Sequence, residues 1–321
     1  MMDTADRAAF ERSLRHAVER NSSAAVDAAL VDLGWHEALA SDEPEAVAIL
    51  FELLGSAHAA STALEQVVGA ALGLEHDPMV GLVLPAMAQT AAPGHIDADR
   101  CVVRGLGTAS LSDRQRAWVV SDTGDALVAL PVPVTELVLR PVVGMDPSMG
   151  LIEVTGTVAT DPLDRIDVTN HWPAALAAGQ RAIGHELVGV AATMLELART
   201  HALDRVQFGQ PIGQFQAVRH RLAECLVAIE SARAVLEAAW EDDTPTTAAV
   251  AKSLAGRGAR TTARHCQQVL AGIGFTTEHD FHHYARRTFL LDQLCGASRS
   301  LTKQFGADLV ANGRMPAFAP L

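Results

Sequence analysis

Lysine is almost missing from this sequence of 321 residues: Lys252 and Lys303 are the only two, and the remaining basic residues are arginine. Acidic side chains outnumber basic ones, for a formal charge of −13. No basic stripe appears anywhere along the chain, which argues against a nucleic-acid partner. A few well-placed arginines could still hold a phosphate locally. Cysteine is also scarce. Cys101, Cys225, Cys266 and Cys295 are widely spaced and form no Cys-x-x-Cys pair, so they read as reduced thiols rather than as a disulfide framework or zinc site. No run approaches the roughly 20 uninterrupted apolar residues of a membrane span. The opening Met1-Met2-Asp3-Thr4-Ala5-Asp6-Arg7 mixes charges and lacks the apolar stretch of a secretory signal. A cytoplasmic protein is expected, with neither nucleic acid nor membrane as partner.

Apolar residues make up 49% of the chain, which excludes disorder, and the length suits two or three packed modules. The texture divides into three. From Thr4 to about Gly73, apolar residues recur at helical spacing: Phe10, Leu14 and Ala17, then Val47, Leu50, Leu54 and Ala57, with Ser41 to Pro44 between helices. From about Glu75 to Asp161 the chain turns to short valine-rich runs separated by glycine and proline. Examples are Cys101-Val102-Val103, Ala117-Trp118-Val119-Val120, Ala126 to Leu130, Glu136 to Leu139 and Leu151 to Val154; they predict a small antiparallel sheet or barrel. From about Pro173 to Asn312 long amphipathic helices return. Four are predicted, ending near Asp204, Trp240, Leu270 and Val310, the last starting near His282, and they suggest an antiparallel bundle. The expected fold is α+β in three domains: a helical domain over 1–74, a β domain over 75–165 and a four-helix bundle over 166–321.

Two segments carry chemistry. Arg205-Val206-Gln207-Phe208-Gly209-Gln210-Pro211-Ile212-Gly213-Gln214-Phe215-Gln216 lies between two predicted helices, turned by Gly209, Pro211 and Gly213. It reads first as a helix-hairpin loop, yet it also groups a guanidinium, amides and aromatic faces. Those groups suit a ligand with a pyrophosphate and a flat ring. Gln268-Val269-Leu270-Ala271-Gly272-Ile273-Gly274-Phe275 ends the third helix, where glycine is an ordinary cap and also permits close approach of a ligand. It follows no strand, so a Rossmann fingerprint is a poor reading. Other candidates fall away. His185-Glu186 lacks the second histidine of a zinc-protease helix. His282-His283 with Glu278 and Asp280 reads as surface, because adjacent helical side chains point apart. No serine stands in a nucleophile turn.

In order and spacing, Arg205 to Gln216, Gln268 to Phe275 and Arg286-Arg287 resemble the C-terminal half of the acyl-CoA dehydrogenase family, over about Gly179 to Asp308. Leu33-Gly34-Trp35 and Gly144 to Ser148 add weaker landmarks. The resemblance implies that the two segments hold the adenosine diphosphate part of a neighbouring subunit's FAD through Arg205, Gln207, Phe208, Phe215, Gln216, Gln268 and Gly272. Phe215 falls where the family varies.

The resemblance also exposes gaps. Family members remove an α-proton from an acyl-CoA thioester with a glutamate, while FAD takes the β-hydride. The family's commoner glutamate position falls here on Cys295, before Gly296-Ala297, and the alternative one falls on Gly179. No catalytic residue is therefore expected; Cys295 reads as a small buried hydrophobe. Glu186 and Asp292 are the nearest other acids, and solvated or salt-bridged roles suit them better. Leu84 to Thr90 and Gly105 to Thr108 lack the polar groups that members place around the flavin ring, and a Gly-Gly loop after the Trp35 helix is missing. The expected protein is thus a degenerate subunit of a heteromeric, α2β2 acyl-CoA dehydrogenase. It resembles the smaller subunits of bacterial enzymes that act on bulky, steroid-derived acyl-CoA thioesters, with a second such subunit as partner supplying the base. A self-sufficient enzyme with an unrecognised base and a non-enzymatic helical scaffold remain as alternatives.

Overall fold

The computed structural model describes residues 4–20, 23–160 and 164–313. Five helices come first among the described residues: α1 (Thr4–Arg20), α2 (Ser23–Asp32), α3 (Trp35–Ser41), α4 (Glu43–Ser56) and α5 (Ala63–Ala71). They share a core in which Leu14, Leu30, Trp35, Leu50 and Phe51 are fully buried. Asp42 and Pro44 start α4, where proline costs nothing because the first-turn N–H groups lack helical partners.

Eight strands follow: β1 (Val80–Pro85), β2 (Gly94–Asp97), β3 (Arg100–Thr108), β4 (Arg116–Asp122), β5 (Leu127–Pro133), β6 (Val138–Pro141), β7 (Leu151–Ala159) and β8 (Ile166–Asp167). The sheet order is β6-β7-β3-β1-β4-β5-β8, with β2 pairing both β3 and β4. The expectation of an antiparallel sheet needs correction here. β1 runs parallel to β4, with Leu82 opposite Trp118, and β2 is parallel to β4 as well. Both strands occupy the slot between β3 and β4, β1 at one end and β2 at the other. Valine-rich runs disclose strands, but direction depends on where the chain re-enters the sheet. One face of the sheet buries Val83, Val103, Val119, Leu130 and Val154 in a core of its own. The other turns Leu82, Leu84, Leu106, Val120 and Ala129 toward the C-terminal helices.

These are α6 (Trp172–Asp204), α7 (Gln216–Asp242), α8 (Pro245–Leu270), α9 (Phe281–Leu291) and α10 (Ser298–Asn312), with a short hairpin of β9 (Val206–Gln207) and β10 (Gln210–Pro211) between α6 and α7. Thr244 caps α8 by accepting from the Thr247 N–H at 3.2 Å, while the Thr247 hydroxyl accepts from the Thr244 N–H at 3.3 Å. The single fourth helix expected from His282 to Val310 is in fact two. Cys295 and Gly296 sit at φ 51° and 99°, a left-handed kink that no α-helix passes through. A buried network holds the kink: Lys252 Nζ donates to the Asp292 carbonyl at 2.8 Å and to the Gly296 carbonyl, and Gln180 Nε2 donates to the Cys295 carbonyl at 3.0 Å.

α4 docks on α6 backbone to backbone. A Cβ on Gly55 would lie 2.2 Å from the Glu186 carbonyl oxygen, and one on Gly189 would lie 2.1 Å from that of Glu52. Only glycine permits this approach. No helix among the described residues is long and apolar enough to cross a membrane.

Candidate functional site

The two positions at which the family resemblance would put a catalytic glutamate meet in space. Gly179 lies on α6 and Cys295 in the α9–α10 kink, and a Cβ built on Gly179 would stand 3.4 Å from the Cys295 sulfur. The same Cβ would touch Val68 at 3.0 Å and Leu64 at 3.8 Å, both from α5. Cys295 is buried, and burial pushes its thiol up to about 11 although the Lys252 charge pulls the other way. Such a thiol stays protonated at neutral pH and packs as a small apolar group.

Asp292 is no free base either. Its carboxylate is buried, accepting from Ser298 and paired with Arg260. Glu186 lies two turns along α6 from Gly179, about 10 Å at helical rise. It belongs to a buried ion cluster that joins three parts of the chain. The fully buried Arg287 of α9 donates from Nε to Asp146 at 2.5 Å, and from Nη1 to the Ala59 carbonyl at 2.6 Å and to Glu186 at 3.3 Å. His58 approaches the Asp146 carboxylate at 3.3 Å, and the Ser148 hydroxyl donates to it at 2.5 Å. Burial alone would raise Asp146, but His58, Arg287 and Ser148 outweigh it and hold the carboxyl well below its usual range. At Glu186 burial prevails over Arg287 and pushes the carboxyl up to about 7.

Glu186 and Glu65 both line a cavity of about 30 Å³, walled by Leu84, Leu151, Leu294 and Phe51. That volume holds a water rather than an acyl chain. Burial also raises Glu65, which accepts from the Thr108 N–H at 3.1 Å. Neither Glu65 nor the hub role of Arg287 is visible in the sequence; the partners of Arg287 lie more than a hundred residues away along the chain.

A flavin ring needs room as well as polar partners around its edge. On the helix-facing side of the sheet Leu82, Leu84, Trp118 and Val120 pack against the bundle, and Thr108 of β3 lines the small cavity beside Glu186. The segment after β1 closes directly onto the kink, with the Ala88 N–H donating to the Gln293 carbonyl at 2.9 Å. The cavity of about 30 Å³ beside Glu186 is far too small for a flavin ring.

The Arg205 loop is the opposite case. Arg205, Gln207, Phe208 and Gln216 are exposed, Phe215 is half-buried, and Gln268 and Gly272 are exposed at the end of α8. The Arg205 side chain makes no ion pair or hydrogen bond among the described residues, while Gln207 Nε2 donates only to the adjacent Val206 carbonyl at 2.8 Å. Phe208 and Gly209 form the hairpin turn at φ 52° and 80°, a geometry that favours Asn-Gly. Phenylalanine in this conformation is an outlier, and its ring is 93% exposed, edge-on to Phe215 at 6.2 Å. His201, at the end of α6, is held down by burial and by the charges of both His279 and Arg205, so the loop and the segment beyond α8 lie at one end of the bundle. The donor set fits a pyrophosphate with a stacked ring. His282 and His283 do not splay as expected; their rings lie 3.9 Å apart, with the His283 ring 5.3 Å from that of His58.

Part of the chain matches a known protein family. Residues 174–309 match the family described as acyl-CoA dehydrogenase, C-terminal domain. Over 175 residues the chain is 35% identical to acyl-CoA dehydrogenase IpdE2 of Mycobacterium tuberculosis, a match that covers 54% of this chain and 53% of IpdE2. The chain therefore spans about half the length of this curated relative. Among solved structures, the ChsE4-ChsE5 complex from Mycobacterium tuberculosis superposes with a TM-score of 0.79 at 18% identity, covering 99% of both chains. The Tcur3481-Tcur3483 steroid ACAD G363A variant superposes with a TM-score of 0.75 at 20% identity, over 96% of this chain and 98% of that one. At such identities the likeness is one of fold.

Proposed function

We propose that this chain, whose residues 174–309 belong to the acyl-CoA dehydrogenase C-terminal domain family, is the base-less subunit of a heteromeric acyl-CoA dehydrogenase. The observation that carries the reading is the meeting of Gly179 and Cys295, two positions for a catalytic glutamate that converge in one place, hold no acid and are packed by α5. α,β-Dehydrogenation of an acyl-CoA requires a carboxylate over the α-carbon and, when bound, FAD as hydride acceptor. Under this reading a second acyl-CoA dehydrogenase-like subunit supplies the base and the ring pocket, in an α2β2 assembly.

This chain's own part is to bind. Arg205 would donate to the pyrophosphate through its planar fork, Phe208 and Phe215 would offer faces to the adenine, and Gln207, Gln216, Gln268 and the Gly272 backbone would complete the contacts. Division into domains at 1–74, 75–165 and 166–321 belongs to the same proposal. The solved likenesses that pair two proteins, the ChsE4-ChsE5 complex and the Tcur3481-Tcur3483 steroid ACAD, support an unlike partner and a bulky, steroid-derived acyl group. A chain with a filled acyl site leaves its partner's pocket room to widen.

The test is FAD affinity of the co-purified complex, titrated by flavin fluorescence. Arg205→Ala should weaken it about ten- to a hundredfold, the scale of lost charge-assisted hydrogen bonds. Arg205→Lys should recover part of the loss. Unchanged affinity in Arg205→Ala would remove the flavin from this loop.

A further inference from the structure

We propose that Cys225 of α7 and Cys266 of α8 close into a reversible disulfide when hydrogen peroxide reaches them, clamping the two helices together. All four thiols of the chain are free and buried. Cys101 lies in the sheet against Ser121, and Cys295 lies in the α9–α10 kink. Cys225 and Cys266, both 0% exposed, share the core between α7 and α8.

The helix packing brings the two sulfurs together. Cys225 Sγ donates to the Thr262 carbonyl at 4.0 Å. Thr262 stands one turn before Cys266, and side chains on a helix lean toward its N-terminus, so the Cys266 thiol covers that same turn. The thiols interact directly. Cys225 is held below the ordinary thiol range chiefly by hydrogen bonding from Cys266, against burial, while Cys266 is raised by the same contact and by burial. On one side, Arg221 Nη1 lies 3.1 Å from His265 Nδ1 and Glu224 lies 3.1 Å from His265 Nε2, so close neighbours of both cysteines already tie α7 to α8. On the other side, a Cβ on Gly258 would stand 3.2 Å from the Ala228 carbonyl oxygen. Helices held this close suit the short span of a disulfide.

The chemistry follows from the pair. Cys225, the more acidic thiol, attacks the peroxide as thiolate; the O–O bond breaks, the sulfur becomes a sulfenic acid and water leaves. The Cys266 thiol then attacks that sulfur, the S–S bond forms and a second water leaves, so two thiols give two electrons to one peroxide. Neither sulfur is exposed, so local opening of the helix pair sets the rate. The consequence for the cofactor rests on the flavin reading above. Gln216 begins α7, and Gln268 stands two residues beyond Cys266. Drawing the sulfurs to the roughly 2.05 Å of a disulfide therefore shifts these two proposed contacts against each other.

The experiment treats the full chain, co-purified with its partner where it requires one, with hydrogen peroxide, alkylates the remaining thiols and maps tryptic peptides without reductant. Peptides 222–233 and 265–286 carry the two cysteines. They should appear joined, lighter than their sum by two hydrogens, and dithiothreitol should separate them. FAD affinity of the oxidised complex should fall about tenfold and return on reduction, while Cys225→Ala keeps its affinity under the same peroxide. Recovery of both cysteines unlinked, or linked to Cys101 or Cys295 instead, would overturn the clamp. A clamp that forms and leaves FAD affinity unchanged, where Arg205→Ala weakens it, would overturn the coupling to the cofactor. Should neither change affinity, the flavin reading fails, and the clamp stands on the peptide map. If Cys225→Ala does not fold, Cys266→Ser serves as the unlinked control.

Discussion

At the scale of single residues, burial and charge act oppositely on the two acids that share Arg287. Glu186 is raised to about 7 by burial, so the fold prefers its protonated form. Its contribution to stability is full below the unfolded value near 4.5 and is lost as pH rises through about 7. Asp146 is lowered, so its contribution is present above the unfolded value near 3.8 and is lost in stronger acid. Glu186→Gln keeps an acceptor for Arg287 while removing the titration. Its melting temperature should match the native protein below about pH 4.5, exceed it increasingly up to about pH 7, and then hold a constant advantage. The free-energy gap would be on the order of a few kcal/mol at most. Melting curves across that range check it; a gap independent of pH would mean that Glu186 does not titrate as its surroundings dictate. Cys295 gives a contrasting expectation. As a packed thiol it can be replaced by alanine with the complex keeping its turnover within about tenfold, whereas a catalytic group would cost two or more orders of magnitude.

Elements show how far sequence reading reaches. Helical periodicity located α1, α4, α6, α7 and α8, and valine-rich runs located β3 to β7, because those patterns are local consequences of which face is buried. By contrast, α2, α5, β1 and β2 carried no such separate signal. The α9–α10 kink was not legible. Its left-handed Cys295 carries no turn signature, and the geometry depends on Lys252 and Gln180, which belong to other helices. The parallel placement of β1 was hidden for a similar reason, since strand direction is a property of the assembled sheet. The β9–β10 hairpin illustrates the converse, a local rule broken in plain view. Phe208-Gly209 stands where Asn-Gly would be comfortable. Phe208→Asn should therefore stabilise the hairpin by up to about 1 kcal/mol, read as a raised melting temperature, while lowering FAD retention in the complex. A variant that gained stability and kept its cofactor would show that the exposed ring has no binding role. The α4–α6 contact offers the reverse experiment. Gly189→Ala forces a methyl group against the Glu52 carbonyl and should destabilise the protein by about 1–3 kcal/mol or more.

On the scale of the whole molecule, the chain is well packed inside and unfinished outside. Three buried apolar clusters, two of them shared between elements from different parts of the chain, bury the apolar faces of helices and sheet, and the Arg287 cluster adds buried ion pairs across them. Yet one end of the bundle leaves Leu203, Val206, Phe208, Ile273 and Phe275 exposed, Phe208 and Phe275 at 93% and 79%. Exposed apolar side chains gathered in this way mark an association surface and, without a partner, a liability to aggregate. The proposed ligand contacts Arg205, Gln207 and Gln268 lie in the same segments, so partner and cofactor would cover this end together. Expressed alone, the chain should be colourless and poorly soluble. Co-expressed with the unlike subunit it should elute as one discrete assembly containing both chains, yellow, and active on an acyl-CoA. Size-exclusion chromatography with flavin absorbance recorded per chain separates the cases. Because a partner that binds only the folded state stabilises it by mass action, the melting temperature of this chain should also rise with partner concentration. A monodisperse, yellow preparation of the chain alone that oxidised an acyl-CoA would require a base on this chain after all. Glu186 and Glu65, the two buried acids beside the small cavity, would then be the first side chains to replace.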